Sequence, residues 1–590
     1  MNLEHSPTSH LNSVLFSFFL FFPLVVTPLI NFIPPYLLLA KLLFALCFVI
    51  GFSQHGRRWW FGCFVLLGFS FCSVLWSVNV SLSTYQAIQL SYYAMGFLLF
   101  RTIHLHPQTL RWGIRLVVMV SLLIALDGLH QYFFRYDEYA RYLQEYDPFW
   151  SQEIEQVAHT WIASLSGRVF TQFFALPSQL AGYLLMIFPL NAVLIFYEKR
   201  RWLKLFWSIT FILNAVIFFF TKSFGAWLVL LCILVVAAFL WLWNKRILTW
   251  DWFLKIGSGF LIAAVGILYL IGRFRGQYLW NLQGNNPLWH RFLNWKTAFA
   301  IWREHLLLGS GLSTFGAMYP QYMQPGANEA QYAHNTYLQF AAELGIIGLV
   351  LVLWLVGCWG VDVFKGLKQN FKMRDQEKNS CFLYGVGSSL AGLGFLLHNI
   401  IDFDFYVFPL GLFGLAMLGL TLNIFSENVA RNSFSHQQKP FYYQNRWAYF
   451  CFVGLVGIST LVLFIKDWQY VQAHQHKEQA IALVQTQQYQ EASRTMQRAL
   501  QFSLILPEYQ AIDGSIWLYL RQSEKAIERY RTAIETDAVT PWFHAGLAEA
   551  HLQQNNLSMA YLESRRAAEL FPLKSQYRQR MQQIQNQLPQ

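Results

Sequence analysis

Residues 202–243 read WLKLFWSITFILNAVIFFFTKSFGAWLVLLCILVVAAFLWLW. Two apolar runs, 202–221 and 225–243, are separated only by Lys222-Ser223-Phe224. Each is close to the roughly 20 residues that an α-helix needs to cross a bilayer. Inside hydrocarbon every backbone N–H and C=O must be satisfied within the segment, so the runs predict helices. The joint is so short that the two helices must run antiparallel, as a membrane hairpin.

The same pattern recurs on both sides. Further apolar runs lie at 13–33, 35–53, 59–77, 84–103, 112–133, 173–197, 253–271, 344–363, 381–401, 405–425 and 448–465. The run at 13–33 lacks a basic leader and a small-residue cleavage site, and a second span follows at once, so it reads as a retained helix. The chain is 55% hydrophobic and only 13% charged, half the charge of a typical soluble domain. The predicted fold class is all-α: a polytopic transmembrane bundle of about 12–13 spans over residues 1–465, then a soluble α-helical repeat domain over 466–590. The cysteines, Cys47, Cys63, Cys72, Cys232, Cys358, Cys381 and Cys451, sit in or beside apolar runs and form no CxxC pair. They read as small buried hydrophobes, not as a disulfide framework or zinc site.

The formal net charge of +12 is distributed by parity. Loops after even-numbered spans carry Arg57 and Arg58; Arg101 and Arg111; Lys199 to Lys204; Lys245 and Arg246; Lys365 to Lys378; and Arg431 to Arg446. Short loops after odd spans are nearly bare, with Lys222 the exception. Basic residues collect on the cytoplasmic side, so the N-terminus is expected there. Two long loops, 134–172 and 272–343, then fall on the outer side, with everything after Lys466. The positive charge is explained by anionic lipid, and no nucleic-acid partner is expected.

After Lys466 the composition shifts to Gln, Glu, Arg, Ala and Leu. Ala480, Ala492 and Ala499 share their spacing with Gly514, Ala526 and Ala533, and with Ala548, Ala560 and Ala567, at a period of 34 residues. That is the period of the tetratricopeptide repeat, in which small residues let paired antiparallel helices pack closely. The consensus Trp and Tyr positions match poorly, so the units are degenerate. Such arrays bind protein segments on a concave face, which gives the chain an expected protein partner.

No Walker loop, GxGxxG, HExxH or GxSxG motif is present. Asp402-Phe403-Asp404 has the DxD form that holds a metal in some glycosyltransferases, but it falls at the outer end of a span, away from nucleotide sugars. No metal and no cofactor are expected. Loop 272–343 carries Arg273, Arg275, His290, Arg291, Arg303, His305 and His334 against Glu304, Glu329 and Glu343. A basic loop on the outer side runs against the insertion bias, and an anionic ligand would explain it. Guanidinium groups grip phosphate oxygens bidentately and stay charged in any environment. Arg168 is a second cationic point. His398 and Asp402 are four apart, so they share one helical face and are expected to form an intramembrane pair, structural or catalytic.

Four segments carry a family resemblance. They are Arg291-Phe-Leu-Asn-Trp-Lys-Thr-Ala-Phe-Ala-Ile-Trp, His305-Leu-Leu-Leu-Gly-Ser-Gly-Leu, Ala333-His-Asn-Thr-Tyr-Leu-Gln and Glu343-Leu-Gly-Ile-Ile-Gly-Leu. In this order they resemble the core of the O-antigen ligase and polymerase superfamily. Ser166-Gly-Arg-Val-Phe, Leu180-Ala-Gly-Tyr and His398-Asn-Ile-Ile-Asp-Phe-Asp-Phe extend the likeness over roughly 160–425. Relatives often have Ser-Arg-Gly after the seventh span; this chain has Lys222-Ser223-Phe224-Gly225, which leaves Lys222 as the available cation.

The resemblance implies a multi-pass enzyme of a bacterial inner membrane. It would perform a metal-independent, inverting transfer of a glycan from a polyprenyl-pyrophosphate donor to a hydroxyl of lipid A core, another glycan or a protein. Arg291 and His334 are the implied catalytic residues. Arg168, Arg291, Arg273 and Lys222 would hold the pyrophosphate, with His398 and Asp402 in support. A polymerase or a protein O-oligosaccharyltransferase is the alternative within the superfamily, and a transporter the alternative outside it. A transporter should show broken helices and midspan polar groups, whereas the ionisable residues here gather at the outer ends of spans.

Overall fold

The computed structural model describes residues 57–103, 107–135, 169, 171, 174, 176–245, 287–372, 379–430, 446–502 and 506–588, with a few single positions between 255 and 266. The expected spans 13–33 and 35–53, and most of 253–271, lie outside the described residues. The protein is all-α, with 18 helices among the described residues. They are α1 (Arg57–Cys72), α2 (Val80–Thr102), α3 (Pro107–His130), α4 (Pro177–Tyr197), α5 (Arg201–Thr221), α6 (Phe224–Asn244), α7 (Pro287–Glu304), α8 (Phe315–Tyr322) and α9 (Thr336–Lys372). Next come α10 (Asn379–His398), α11 (Phe408–Ala430), α12 (Arg446–Gln485), α13 (Tyr489–Gln501), α14 (Pro507–Tyr519) and α15 (Ser523–Thr536), and last α16 (Pro541–Gln553), α17 (Leu557–Leu570) and α18 (Ser575–Gln585).

Seven segments, at α1, α3, α4, α5, α6, α9 and α11, are long and apolar enough to cross a membrane. The quoted hairpin is α5 and α6, joined by Lys222 in the left-handed conformation and Ser223. Phe61, Phe64, Leu123, Phe196, Trp202, Ile209 and Ile212 are exposed, as lipid-facing side chains must be. α2 falls short in hydropathy because it carries Gln86, Gln89, Ser83 and Ser91. These are buried, since α2 is a central helix packed along α11 and walled in by α1. Ser83 Oγ donates to the Leu312 carbonyl and Ser91 Oγ to Ala87, so the hydroxyls are satisfied inside the protein.

Contacts between helix ends form two clusters. At one face Arg101 donates to Ser426, Arg111 to Tyr197 and Arg115 to Glu198, and Trp243 packs on Phe371. At the other, Val78 donates to the Ser310 carbonyl, and Asn79 Nδ2 donates to Asp537 Oδ2 at 2.7 Å. The loop after α1, the loop before α8 and the C-terminal helices therefore share one face.

α12 runs unbroken through residue 466, where the composition changes. Its C-terminal part packs on α13, and α14 with α15 and α16 with α17 form the following pairs, closed by α18. All nine small residues of the 34-residue register, from Ala480 to Ala567, are buried at the helix contacts. Gly514 lies against the Tyr530 ring, where a Cβ would come within 3.0 Å of its atoms. Pro507 and Pro541 open helices, the one place where a missing N–H and fixed φ cost nothing.

The array is docked on the membrane part through Asp537, which is 2% exposed. Its carboxylate also accepts from the backbones of Val539 and Thr540 and from Thr540 Oγ1. Asn79 meanwhile caps α2 with its other side-chain atom, accepting from Leu82. Asp537→Ala should leave that buried amide without its acceptor and cost about 1–3 kcal/mol. Hydrogen exchange would then speed up at both 77–83 and 537–541; unchanged protection at 77–83 would show that the contact holds nothing.

Candidate functional site

The face that carries the array also carries the cationic loop. Asp402 lies in the turn between α10 and α11 and is 1% exposed. Arg291, on the first turns of α7, donates from Nη2 to Asp402 Oδ2 at 3.1 Å. His334, in the segment before α9, holds Nδ1 3.4 Å from Asp402 Oδ1, an ion-pair distance longer than a good hydrogen bond. The side chains of Arg291 and His334 are 20% and 27% exposed. One buried carboxylate thus seats two cationic or proton-carrying groups side by side. Burial alone would raise the Asp402 pKa; Arg291, then His334 and His398, outweigh it and hold the carboxyl well below the usual range. A folded value below the unfolded one means that this contribution to stability is present at neutral pH and is lost as pH falls through the folded value.

Local structure fixes the two groups. His334 has φ +54°, which swings the chain sharply before α9 begins at Thr336. Its carbonyl accepts from Trp295 Nε1, tying it to the helix that carries Arg291. Its ring stands edge-on against Phe403 at 4.9 Å, and Phe403 stacks on Tyr332 at 4.4 Å. Thr336 Oγ1 bonds Asn399 Oδ1 at 2.6 Å and approaches the Asp402 carbonyl.

His398 pairs with Asp404, not with Asp402: the Nδ1 to Oδ2 distance is 2.6 Å and both groups are buried. The four-residue pairing expected from spacing fails because α10 ends at His398. The chain then turns, Asp402 faces α7, and a single 3-10 turn from Asp404 folds back over the imidazole. Asp404 also fills the space over Gly182 of α4, where a Cβ would lie 2.3 Å from its Oδ2. The two aspartates of the DxD stretch therefore serve different partners.

Among the other sequence-identified residues, Lys222 lies three positions before Gly225. Gly225, in the first turn of α6, packs against Ile401 and faces Arg291, whose Nη1 would be 3.5 Å from a Cβ there. The N-terminal turn of α6, the positive end of its dipole, thus lies beside Arg291. Arg168, Arg273 and Arg275 lie outside the described residues. Val169, next in the chain, donates to the Phe220 carbonyl at the end of α5, close in sequence to Lys222.

Next to the charged cluster, α1, α2, α9, α10 and α11 line a partly open pocket of about 120 Å³. Trp59, Phe97, Leu344 and Trp359 line its apolar part, and Thr336 and Asn399 form its polar end. α9 is broken at Gly345, with φ +67° and ψ −169°. A Cβ there would lie 2.1 Å from the Leu307 carbonyl oxygen, so the break requires glycine. The carbonyls of Ala342 and Glu343 are met by the N–H groups of Ser310 and Gly311, and Ile346 N donates to Leu306. This break was not expected from the sequence. It lies at the end of the span, next to the site.

Residues 209–353 match the family model described as O-antigen ligase. Over these residues the chain is similar to the O-antigen ligase family. The match takes in Lys222, Arg291, His334 and Glu343, and ends before Asp402. No curated protein matches the chain. Among solved structures the chain is similar to "First TPR of Spaghetti (RPAP3) bound to HSP90 peptide SRMEEVD", at 16% identity and a TM-score of 0.20, covering 20% of this chain and 94% of that chain. Seven helices among the described residues are long and apolar enough to cross a membrane, and the similarity to the O-antigen ligase family agrees with a multi-pass membrane protein.

Proposed function

We propose that the protein transfers a glycan from a polyprenyl-pyrophosphate donor to an acceptor hydroxyl at the outer face of a bacterial inner membrane. The observation that carries this reading is Asp402 holding Arg291 and His334 together beside the N-terminus of α6. With Nδ1 turned to Asp402, His334 Nε2 is free to take the proton of the attacking hydroxyl. The acceptor oxygen bonds to the anomeric carbon as the carbon–oxygen bond to pyrophosphate breaks. The leaving group departs with the bonding pair, and Arg291, Lys222 and the α6 dipole meet its growing charge. Asp402 keeps both groups in place and stabilises the imidazolium that forms. In-line attack from the face opposite the pyrophosphate inverts the anomeric centre. The apolar pocket beside Thr336 and Asn399 supports a lipid-linked donor, since it offers hydrocarbon contact next to the charged cluster. No step requires a metal or cofactor.

Deleting the gene in its host and analysing lipid-linked and surface glycans tests this reading. Accumulation of full-length lipid-linked glycan with loss of its surface or protein conjugate supports transfer to a final acceptor. Accumulation of single lipid-linked repeat units identifies a polymerase. Unchanged pools of both contradict the proposal.

The C-terminal array is read as a tetratricopeptide-like module that presents a protein acceptor or recruits an assembly partner. Its docking through Asn79 and Asp537 would keep such a partner on the same face as Arg291 and His334.

A further inference from the structure

Glu343 is buried in α9, two residues before the break at Gly345, and the transfer step above does not use it. Four donors converge on its carboxylate. Ser313 N and the Tyr406 hydroxyl reach Oε2 at 2.7 and 2.6 Å. Phe315 N and Gln339 Nε2 reach Oε1 at 3.2 and 2.9 Å. No side chain but a carboxylate can accept from all four at once.

These donors lead to the two halves of the site. Gln339 uses its other atom, Oε1, to accept from Ala333 N at 3.0 Å, directly before the turn at His334. Tyr406 belongs to the turn that carries Asp402, and its ring packs with Tyr332 at 5.5 Å. Tyr332 in turn stacks on Phe403, against which the His334 ring stands. Ser313 and Phe315 hold the loop that leads into α8.

We propose that Glu343 is the positioning residue of the transfer site: it fixes the His334 turn through Gln339 and the Asp402 turn through Tyr406, and so sets the imidazole against its carboxylate. This inference rests on the transfer reading for its effect on rate, but not for its effect on the seat of His334. A displacement near 1 Å between a base and its orienting group can cost on the order of a hundredfold in rate.

The test uses Glu343→Gln in the full-length protein in detergent. The amide keeps the size but turns an NH2 group toward either Ser313 N–H or Phe315 N–H, neither of which can reverse. Two readouts are taken. The first is labelling of His334 by diethyl pyrocarbonate, followed by peptide mass spectrometry, with His474 in the repeat array as the internal control. Labelling at His334 should rise several-fold while His474 stays unchanged. The second is glycan transfer, in which kcat should fall about tenfold to a hundredfold with a smaller change in KM for the lipid-linked donor, because Arg291 is carried on α7, which gives no donor to Glu343. Tyr406→Phe, which removes one donor and keeps the ring, should shift both readouts in the same direction by less, and decides the matter if Glu343→Gln does not fold. Wild-type labelling and wild-type kcat in both variants would overturn the assignment. If the wild-type protein transfers no glycan, the functional reading fails, and the labelling arm still decides whether Glu343 seats His334.

Discussion

Replacing His334 with alanine is expected to lower kcat for glycan transfer by about two to four orders of magnitude, the usual contribution of a positioned general base. The side chain is 27% exposed, so expression, membrane insertion and thermal stability should stay near wild type. Asp402→Asn should reproduce much of the loss, because an amide neither stabilises an imidazolium nor accepts from Arg291 and His334 together. Steady-state transfer by purified variants measures both. A His334→Ala protein with more than about a tenth of wild-type kcat would remove the proton-transfer role.

The second large effect is expected at Arg291. Lysine keeps the charge but loses the planar fork, so it cannot bond Asp402 through one nitrogen while facing the α6 N-terminus with another. Arg291→Lys should lose about a hundredfold or more in kcat/KM, since the charge it meets grows as the pyrophosphate leaves. Binding of the intact donor should weaken much less. An equal loss in donor affinity and in kcat/KM would mean that Arg291 only holds the donor, with no added role as the bond breaks.

Much of this was legible in the chain. Runs of about 20 apolar residues have one solution in lipid, so the helices near 59–77, 112–133, 173–197, 202–221, 225–243 and 405–425 could be read directly. The cationic cluster stood out because Arg291 and His334 sit in a basic loop where the insertion bias disfavours basic residues. Other features depend on tertiary contacts. The pairing of His398 was misread because a four-residue spacing stacks side chains only while the helix continues, and α10 stops at His398. The span expected from 344 begins as a helix at Thr336, because Gln339 and Glu343 find buried partners that hydropathy cannot register. Glu343 did leave a signal: a carboxylate at the edge of an apolar run is costly without a function, and that cost marked it more clearly than its place in a loop charge count. The docking of Asp537 on Asn79 left none, since the two lie 458 residues apart and each looks like an ordinary loop polar residue.

The account stands on the claim that this protein moves a glycan off a lipid pyrophosphate with its own side chains. The direct measurement mixes the purified full-length protein with a polyprenyl-pyrophosphate glycan and a hydroxyl acceptor in detergent, in the presence of excess chelator. The account predicts release of free polyprenyl pyrophosphate, one new glycosidic bond per molecule released, and a product whose anomeric configuration is inverted by NMR. No product with any of the three acceptor classes, activity that the chelator abolishes, or a product with retained configuration would contradict it.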